Sequence, residues 1–140
     1  VTKLADKFPQ VALGEAVLVV AQMNMKLAGN VTKGDVVIAS AHQDDDVPTV
    51  VIGTDQSAKF MGIAMKTGVT GDSIPVLTIG IIKVTAGAGT VILGEEIECA
   101  ANGAVENTVG GATVALIIGR GLQTLASGDT GIVWINASRC

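Results

Sequence analysis

The chain has 140 residues, 49% of them hydrophobic and 16% charged, with 18 glycines and a formal net charge of −4. That length suits one domain, whose core buries roughly two thirds of the unfolded surface, and it is cramped for two. Nine Lys and Arg scattered singly, with Phe8, Phe60 and Trp134 as the only Phe, Tyr or Trp residues, provide neither the basic footprint nor the stacking platform that nucleic acid requires.

Ordinary globular chains carry about 25% charged residues. A chain this poor in charge leaves apolar patches facing water, and such patches mark surfaces buried against a partner. The composition therefore predicts an oligomer or a lattice component. No membrane span is expected: the best apolar run, "IPVLTIGII" from Ile74 to Ile82, contains a proline and a threonine and falls far short of about 18 residues. The N-terminal "VTKLADKFPQ" lacks the basic-then-apolar pattern of a secretory signal. Cys99 and Cys140 do not make a disulfide framework.

In chain order, residues 1–13 read as an arm and 14–140 as a single β domain. "AQMNMKL" (21–27) alternates without exception, placing Ala21, Met23, Met25 and Leu27 on one side and Gln22, Asn24 and Lys26 on the other. That is strand periodicity; wound as a helix, the polar groups would ring the cylinder. Further short runs rich in Val and Ile and bounded by glycine follow at Val36–Ala39, Val50–Ile52, Ile74–Ile82, Thr90–Leu93, Thr113–Ile118 and Ile132–Ile135. Many short strands with glycine punctuation predict an all-β sandwich or barrel. One place has room for a short helix, Asp55–Phe60, with Asp55 as its N-cap.

Glycine followed by an acidic residue recurs ahead of the strands at Gly34-Asp35, Gly71-Asp72, Gly94-Glu95 and Gly128-Asp129. The unequal spacings exclude a solenoid. They do pair: Gly62–Val76 laid over Gly119–Val133 without a gap matches Gly62 with Gly119, Thr67 with Thr124, Gly71 with Gly128, Asp72 with Asp129 and Val76 with Val133. Gly34-Asp35-Val36-Val37 over Gly94-Glu95-Glu96-Ile97 joins the same frame if the first copy carries three extra residues. The pattern predicts a duplicated β-module spanning 34–78 and 94–135.

The stretch "LGEEIECAANGAV" (93–105) gathers carboxylates, a cysteine and an asparagine. Its spacing reads as a strand, an Asn102-Gly103 type I′ turn and a return strand, with Ile97 and Cys99 facing inward and Glu96 and Glu98 outward. A nucleophilic thiolate needs a nearby base and an electropositive setting, and the single histidine, His42, lies in the other module. Cys99 is therefore expected as a small buried hydrophobe. In the first module "AHQDDDVP" replaces the tight turn with an acidic loop holding His42, Asp44, Asp45 and Asp46. Asp44 and Asp46 are its weak candidates for calcium, since the glycine and distal glutamate of an EF-hand are missing; a solvated loop is the simpler reading. One histidine is too few for zinc. Gly87-Ala88-Gly89 and Gly119-Arg120-Gly121 lack the context of a phosphate loop, no G-x-S-x-G elbow is present, and the methionines Met23, Met25, Met61 and Met65 read as core filler. No catalytic residue and no cofactor are read from the sequence.

The arrangement "KGDVVIAS … FMGIAMKTGVTGDSIPVLTIGIIKVTAGAG … LGEEIECAANGAV … IIGRGLQTLASGDTGIVWI", over residues 33–135, resembles the capsid decoration, or cement, proteins of tailed bacteriophages. The paired Gly62–Val76 and Gly119–Val133 segments and the central glycine-alanine link carry the resemblance. It implies a non-catalytic virion protein, made in the host cytoplasm, that sits as a homotrimer on the outer capsid surface and clamps neighbouring major capsid subunits. Under that reading Leu4, Phe8, Pro9 and Val11 of the N-terminal arm are the capsid-binding residues.

Two other functions remain open. A carbohydrate- or surface-binding β-module would use aromatic platforms, of which Trp134 is the one candidate, in a strand expected to be buried. An enzyme on a β-barrel would draw an acid or base from Asp35, Asp72, Glu95 or Asp129, all of which have a simpler role in turns.

Overall fold

A computed structural model describes residues 6–41, 47–108 and 116–137. These residues form nine strands: β1 (Ala16–Leu27), β2 (Val36–Ala39), β3 (Thr49–Ile52), β4 (Phe60–Ala64), β5 (Ser73–Thr85), β6 (Glu96–Cys99), β7 (Val105–Asn107), β8 (Gly119–Gly121) and β9 (Thr130–Asn136). The chain is all-β, with the strands in one mixed sheet. Asp55–Phe60 forms no helix: Asp55 and Gln56 make a turn, with Gln56 at φ 53°, and Phe60 already opens β4. Thr90–Leu93 forms no strand either: Val91 makes an isolated bridge to Leu125, and Asn107 of β7 donates its N–H to the Thr90 carbonyl at 2.7 Å. Of the predicted strand at Thr113–Ile118, the first three residues lie outside the described residues and the remainder is not strand.

One turn is built five times. In each, the backbone N–H of an acidic residue donates to the carbonyl three residues earlier: Glu15 to Ala12, Asp35 to Thr32, Asp72 to Val69, Glu95 to Ile92 and Asp129 to Ala126, at 2.9–3.1 Å. The residue before the acid is a glycine at φ 78–96° in all five, which an L side chain resists in this position. In four of them the carboxylate accepts the N–H of the turn's first residue, Ala12, Thr32, Val69 or Ala126, at 2.7–3.0 Å. At the Glu95 turn, Asn107 substitutes, accepting from the Ile92 N–H at 3.0 Å and donating to Glu95 at 2.9 Å. The fifth turn, Gly14-Glu15, stands as far before Gly71-Asp72 as that pair stands before Gly128-Asp129, 57 residues in each case.

These turns feed two closed rings of five strands. The first runs β1-β3-β2-β4-β5 and closes through an antiparallel β1–β5 pairing. The second runs β5-β9-β8-β6-β7 and closes through a parallel bridge from Ala86, just past β5, to Val105. β5 belongs to both rings: β1 pairs with it from Ser73 to Ile82 and β4 at Val76 and Leu77, while β9 pairs with it from Ile79 to Thr85.

Register is the same in the two rings. Val37 pairs with Gly62 and Ile97 with Gly119; Ala64 pairs with Val76 and Gly121 with Val133; Lys26 pairs with Ser73 and Thr85 with Thr130. Gly62 and Gly119 show why no other residue sits there. A Cβ at Gly62 would collide with the Leu77 carbonyl, and one at Gly119 with the carbonyl of Trp134, the corresponding residue. The barrel interiors correspond too: Met25, Leu27, Val31, Val37, Val50 and Val76 fill the first, and Val84, Ala86, Val91, Ile97, Val105 and Val133 the second. The outer face of the first ring, with Val36, Ile38, Phe60, Ile63 and Leu77, joins the second ring's core, so one apolar body holds the rings together.

Candidate interaction surface

β1 leaves the core partway along its length. Met25 and Leu27 are 1% exposed, as their alternation predicts, but Met23 is 46% exposed and so is not core filler. Upstream, Val17, Leu18, Val19 and Val20 are 44–56% exposed in an unbroken row. The cause lies in the pairing: the register with β5 slips between Ala16 and Leu18, between Val19 and Ala21, and between Ala21 and Gln22, so successive side chains lose strict alternation. β3 reaches β1 only at Lys26 and Leu27. Among the described residues no strand covers the other edge of the upstream half.

The slips also twist this edge, which hinders indiscriminate pairing with other strands while leaving the side chains available. Beside the strip an open apolar depression of about 250 Å³ is lined by Met23, Met25, Phe60, Met61, Thr78, Ile79 and Ala137. Thr78 turns its hydroxyl away to the Ala21 carbonyl at 3.0 Å, leaving a methionine-rich floor able to adapt its shape to a contact. The run "AVLVV" was in the sequence, but a continuous apolar run reads as a buried strand, and only the pairing places it at the surface.

The segment before β1 is held by one buried lysine. Lys83, 2% exposed on β5, forms an ion pair with Asp6 and donates to the carbonyls of Phe8 at 3.2 Å and Val11 at 2.9 Å. Asp6 also bridges to Thr130, and Lys7 N–H donates to the Thr130 carbonyl at 2.8 Å, so the segment meets the start of β9 of its own chain. The ion pair and the Phe8 N–H hold the Asp6 carboxyl below the usual aspartate range. Of the four residues assigned to capsid contact, Leu4 lies outside the described residues, Pro9 is exposed, and Phe8 and Val11 are half-buried. Lys83 brings this segment next to the start of β1, since Gly14 N–H donates to the Lys83 carbonyl at 3.0 Å and Ala16 pairs with Ile82.

The carboxylate and cysteine stretch forms the expected hairpin. Asn102 and Gly103 have φ of 59° and 75°, as a type I′ turn needs, and Ile97 and Cys99 are fully buried. Glu98 corrects the expectation of an outward side chain: it is 0% exposed. The segments about Asp55-Gln56 and Gly87–Gly89 close over this end of the hairpin, with Gln56 N–H donating to the Cys99 carbonyl at 2.9 Å and Gly87 N–H to the Val105 carbonyl at 2.7 Å. Alternation along β6 shows which face a residue takes, not what other segment covers it. Trp134 is half-buried rather than buried.

Asp35, Asp72, Glu95 and Asp129 all sit in the recurring turns, dispersed over the fold. Asp35 is raised above the ordinary aspartate range by burial, partly offset by the Thr32 N–H. His42, Asp44, Asp45 and Asp46 lie outside the described residues. Among the described residues, no three His, Cys, Asp or Glu side chains gather into a group able to hold a metal ion.

Fold and surface thus define a class: two fused five-stranded β-rings presenting an apolar strip and a methionine-lined depression. No protein-family profile and no curated protein matches the chain. Among solved structures it is similar to the head fiber gp8.5 N base of bacteriophage phi29, with a TM-score of 0.63 and 16% sequence identity over 84% of this chain and 94% of that one. At that identity the two share a fold.

Proposed function

We propose that this protein is a structural component of a phage virion that binds the outside of the capsid and stabilises it by bridging neighbouring major capsid subunits. The observation that carries the reading is the exposed apolar strip Val17–Val20 with Met23, on a fold shared with the base of a phage head fiber. The strip and the half-buried Phe8 and Val11 beside it are the contact surface for the shell.

Magnitudes argue for several copies acting together. Fully burying a Val or Leu side chain yields about 1.5–3 kcal/mol, so four half-exposed ones yield roughly 3–6 kcal/mol. Association costs about 4 kcal/mol or more in lost translational and rotational freedom. A lone strip therefore binds weakly, and a trimer that engages three subunits at once converts weak contacts into firm attachment.

Purified protein mixed with empty heads tests this. It is expected to co-sediment with them and to raise the temperature at which they rupture, and light scattering is expected to give three chains per particle. A protein that stays in the supernatant at micromolar concentration, or that binds without changing the rupture temperature, contradicts the reading.

A further inference from the structure

One of the cross-strand pairs at which the two rings differ places two acids face to face. In the first, Ile38 pairs with Val51 across β2 and β3; at the corresponding place in the second, Glu98 pairs with Glu106 across β6 and β7. Like charges directly opposite on a ladder repel, with Cβ atoms about 5 Å apart. Glu98 is 0% exposed, and neither of its carboxylate oxygens has a hydrogen-bond partner among the described residues. Its position opposite Glu106 puts both side chains on one face of the hairpin. There the glycine segment presses in: a Cβ at Gly89 would collide with the Glu106 carboxylate, and one at Gly87 would meet Ala100 and Ala104.

Among the described residues, no basic side chain acts on Glu106. Glu106 is raised above the ordinary glutamate range first by burial and then by the charges of Asp55 and Glu98, with only the Gly89 N–H acting the other way. A buried carboxylate without a donor is costly, and the same fold accepts an apolar pair at the same register in its first ring. The glutamates therefore need an occupant that supplies positive charge.

We propose that Glu98 and Glu106 bind a hard divalent cation, calcium by size and ligand preference, between the β6–β7 hairpin and the Gly87–Gly89 segment. Two carboxylates are the protein's charged ligands, and backbone carbonyls and water complete the oxygen shell. Asp55 adds to the field without ligating. So few charged ligands place the affinity in the range of about 0.1–1 mM, typical of extracellular calcium modules. Bound metal would fasten the second ring's hairpin to the link that follows β5.

The test is thermal unfolding of chelator-treated protein near neutral pH, with and without about 10 mM calcium chloride. Wild type is expected to gain roughly 4–8 °C. The E98I/E106V variant, carrying the first ring's residues, is expected to melt above chelated wild type and to show no calcium shift. E98Q/E106Q, which keeps side-chain size, is expected to lose the shift as well. A wild type indifferent to calcium overturns the proposal, as does a calcium shift surviving in both variants, which would place the ion elsewhere. If chelated wild type is stabilised by acidification to about pH 5 but ignores calcium, the occupant is a proton and the cation site is refuted.

Discussion

The two rings have the same strand pairings in the same register, yet their outer faces have opposite chemistry. Val36, Ile38, Ile63 and Leu77 on the first correspond to Glu96, Glu98, Arg120 and Trp134 on the second. The first set joins the core between the rings, and in the second set Arg120 is exposed while Glu96 and Trp134 are half-buried. Backbone geometry is thus fixed by what recurs, the glycine-acid turns and the crowded strand glycines, while side-chain chemistry follows what covers each face. β1 and β5 teach the same lesson. Both begin after a glycine-acid turn, but the start of β5 is flanked by β1 and β4, whereas the start of β1 has only β5 beside it. Its apolar residues stand exposed there, and it is there that the proposed contact with a shell falls.

The most disruptive way to break the correspondence is at its crowded glycines. G62A and G119A each force a Cβ into a backbone carbonyl, and each is expected to cost at least about 3 kcal/mol in chemical denaturation. The losses should be similar. By contrast G71A and G94A meet no atom within 4 Å and carry only the positive-φ penalty, about 1–2 kcal/mol. Equal losses at all four positions would show that close packing at Gly62 and Gly119 does not set the register.

Removing the lysine latch should do less. K83M deletes the Asp6 ion pair and the hydrogen bonds to Phe8 and Val11. About 1–3 kcal/mol is expected, with hydrogen exchange at residues 6–11 speeding up while β9 stays protected. Unchanged exchange would mean that other contacts hold the segment.

The turn carboxylates come next. D72A leaves the Val69 N–H without its acceptor, and D35A does the same for Thr32, each at a cost of about 1 kcal/mol. Acidity then separates the carboxylates. Asp35 and Glu106 are raised, so between their unfolded and folded values the native state binds more protons, and stability in chelator rises as pH falls through that window. Asp6 is lowered, so its contribution is present above the unfolded aspartate value and is lost below it. Melting temperature against pH should therefore pass through a maximum in the mildly acidic range. A steady decline from neutral pH downward would contradict these assignments.

The least effect on stability is expected at β1. V17K/V19K replaces half-exposed residues that touch little of the core and should shift stability by no more than about 0.5 kcal/mol.

Much of the fold was readable because turn chemistry is local. Four glycine-acid turns, the Asn102-Gly103 hairpin and the alternation ending at Met25 and Leu27 all follow from backbone sterics and side-chain period. β4 and β8 are not legible in the sequence, since "FMGIA" and "GRG" owe their strand state to neighbours on either side, with glycine present for close approach rather than for turning. The Gly14-Glu15 turn is masked in the sequence by the continuous apolar run that follows it. The apolar strip was harder still: whether Val17–Val20 or Glu98 meets water depends on which distant segment covers it, and only tertiary pairing decides that.

Shell attachment is the claim on which the functional account stands, and sedimentation of empty phage heads with wild type and with V17K/V19K tests it directly. The account predicts that wild type pellets with the heads while the variant, folded and equally heat-stable, remains in the supernatant. A variant that pellets as completely as wild type would contradict it.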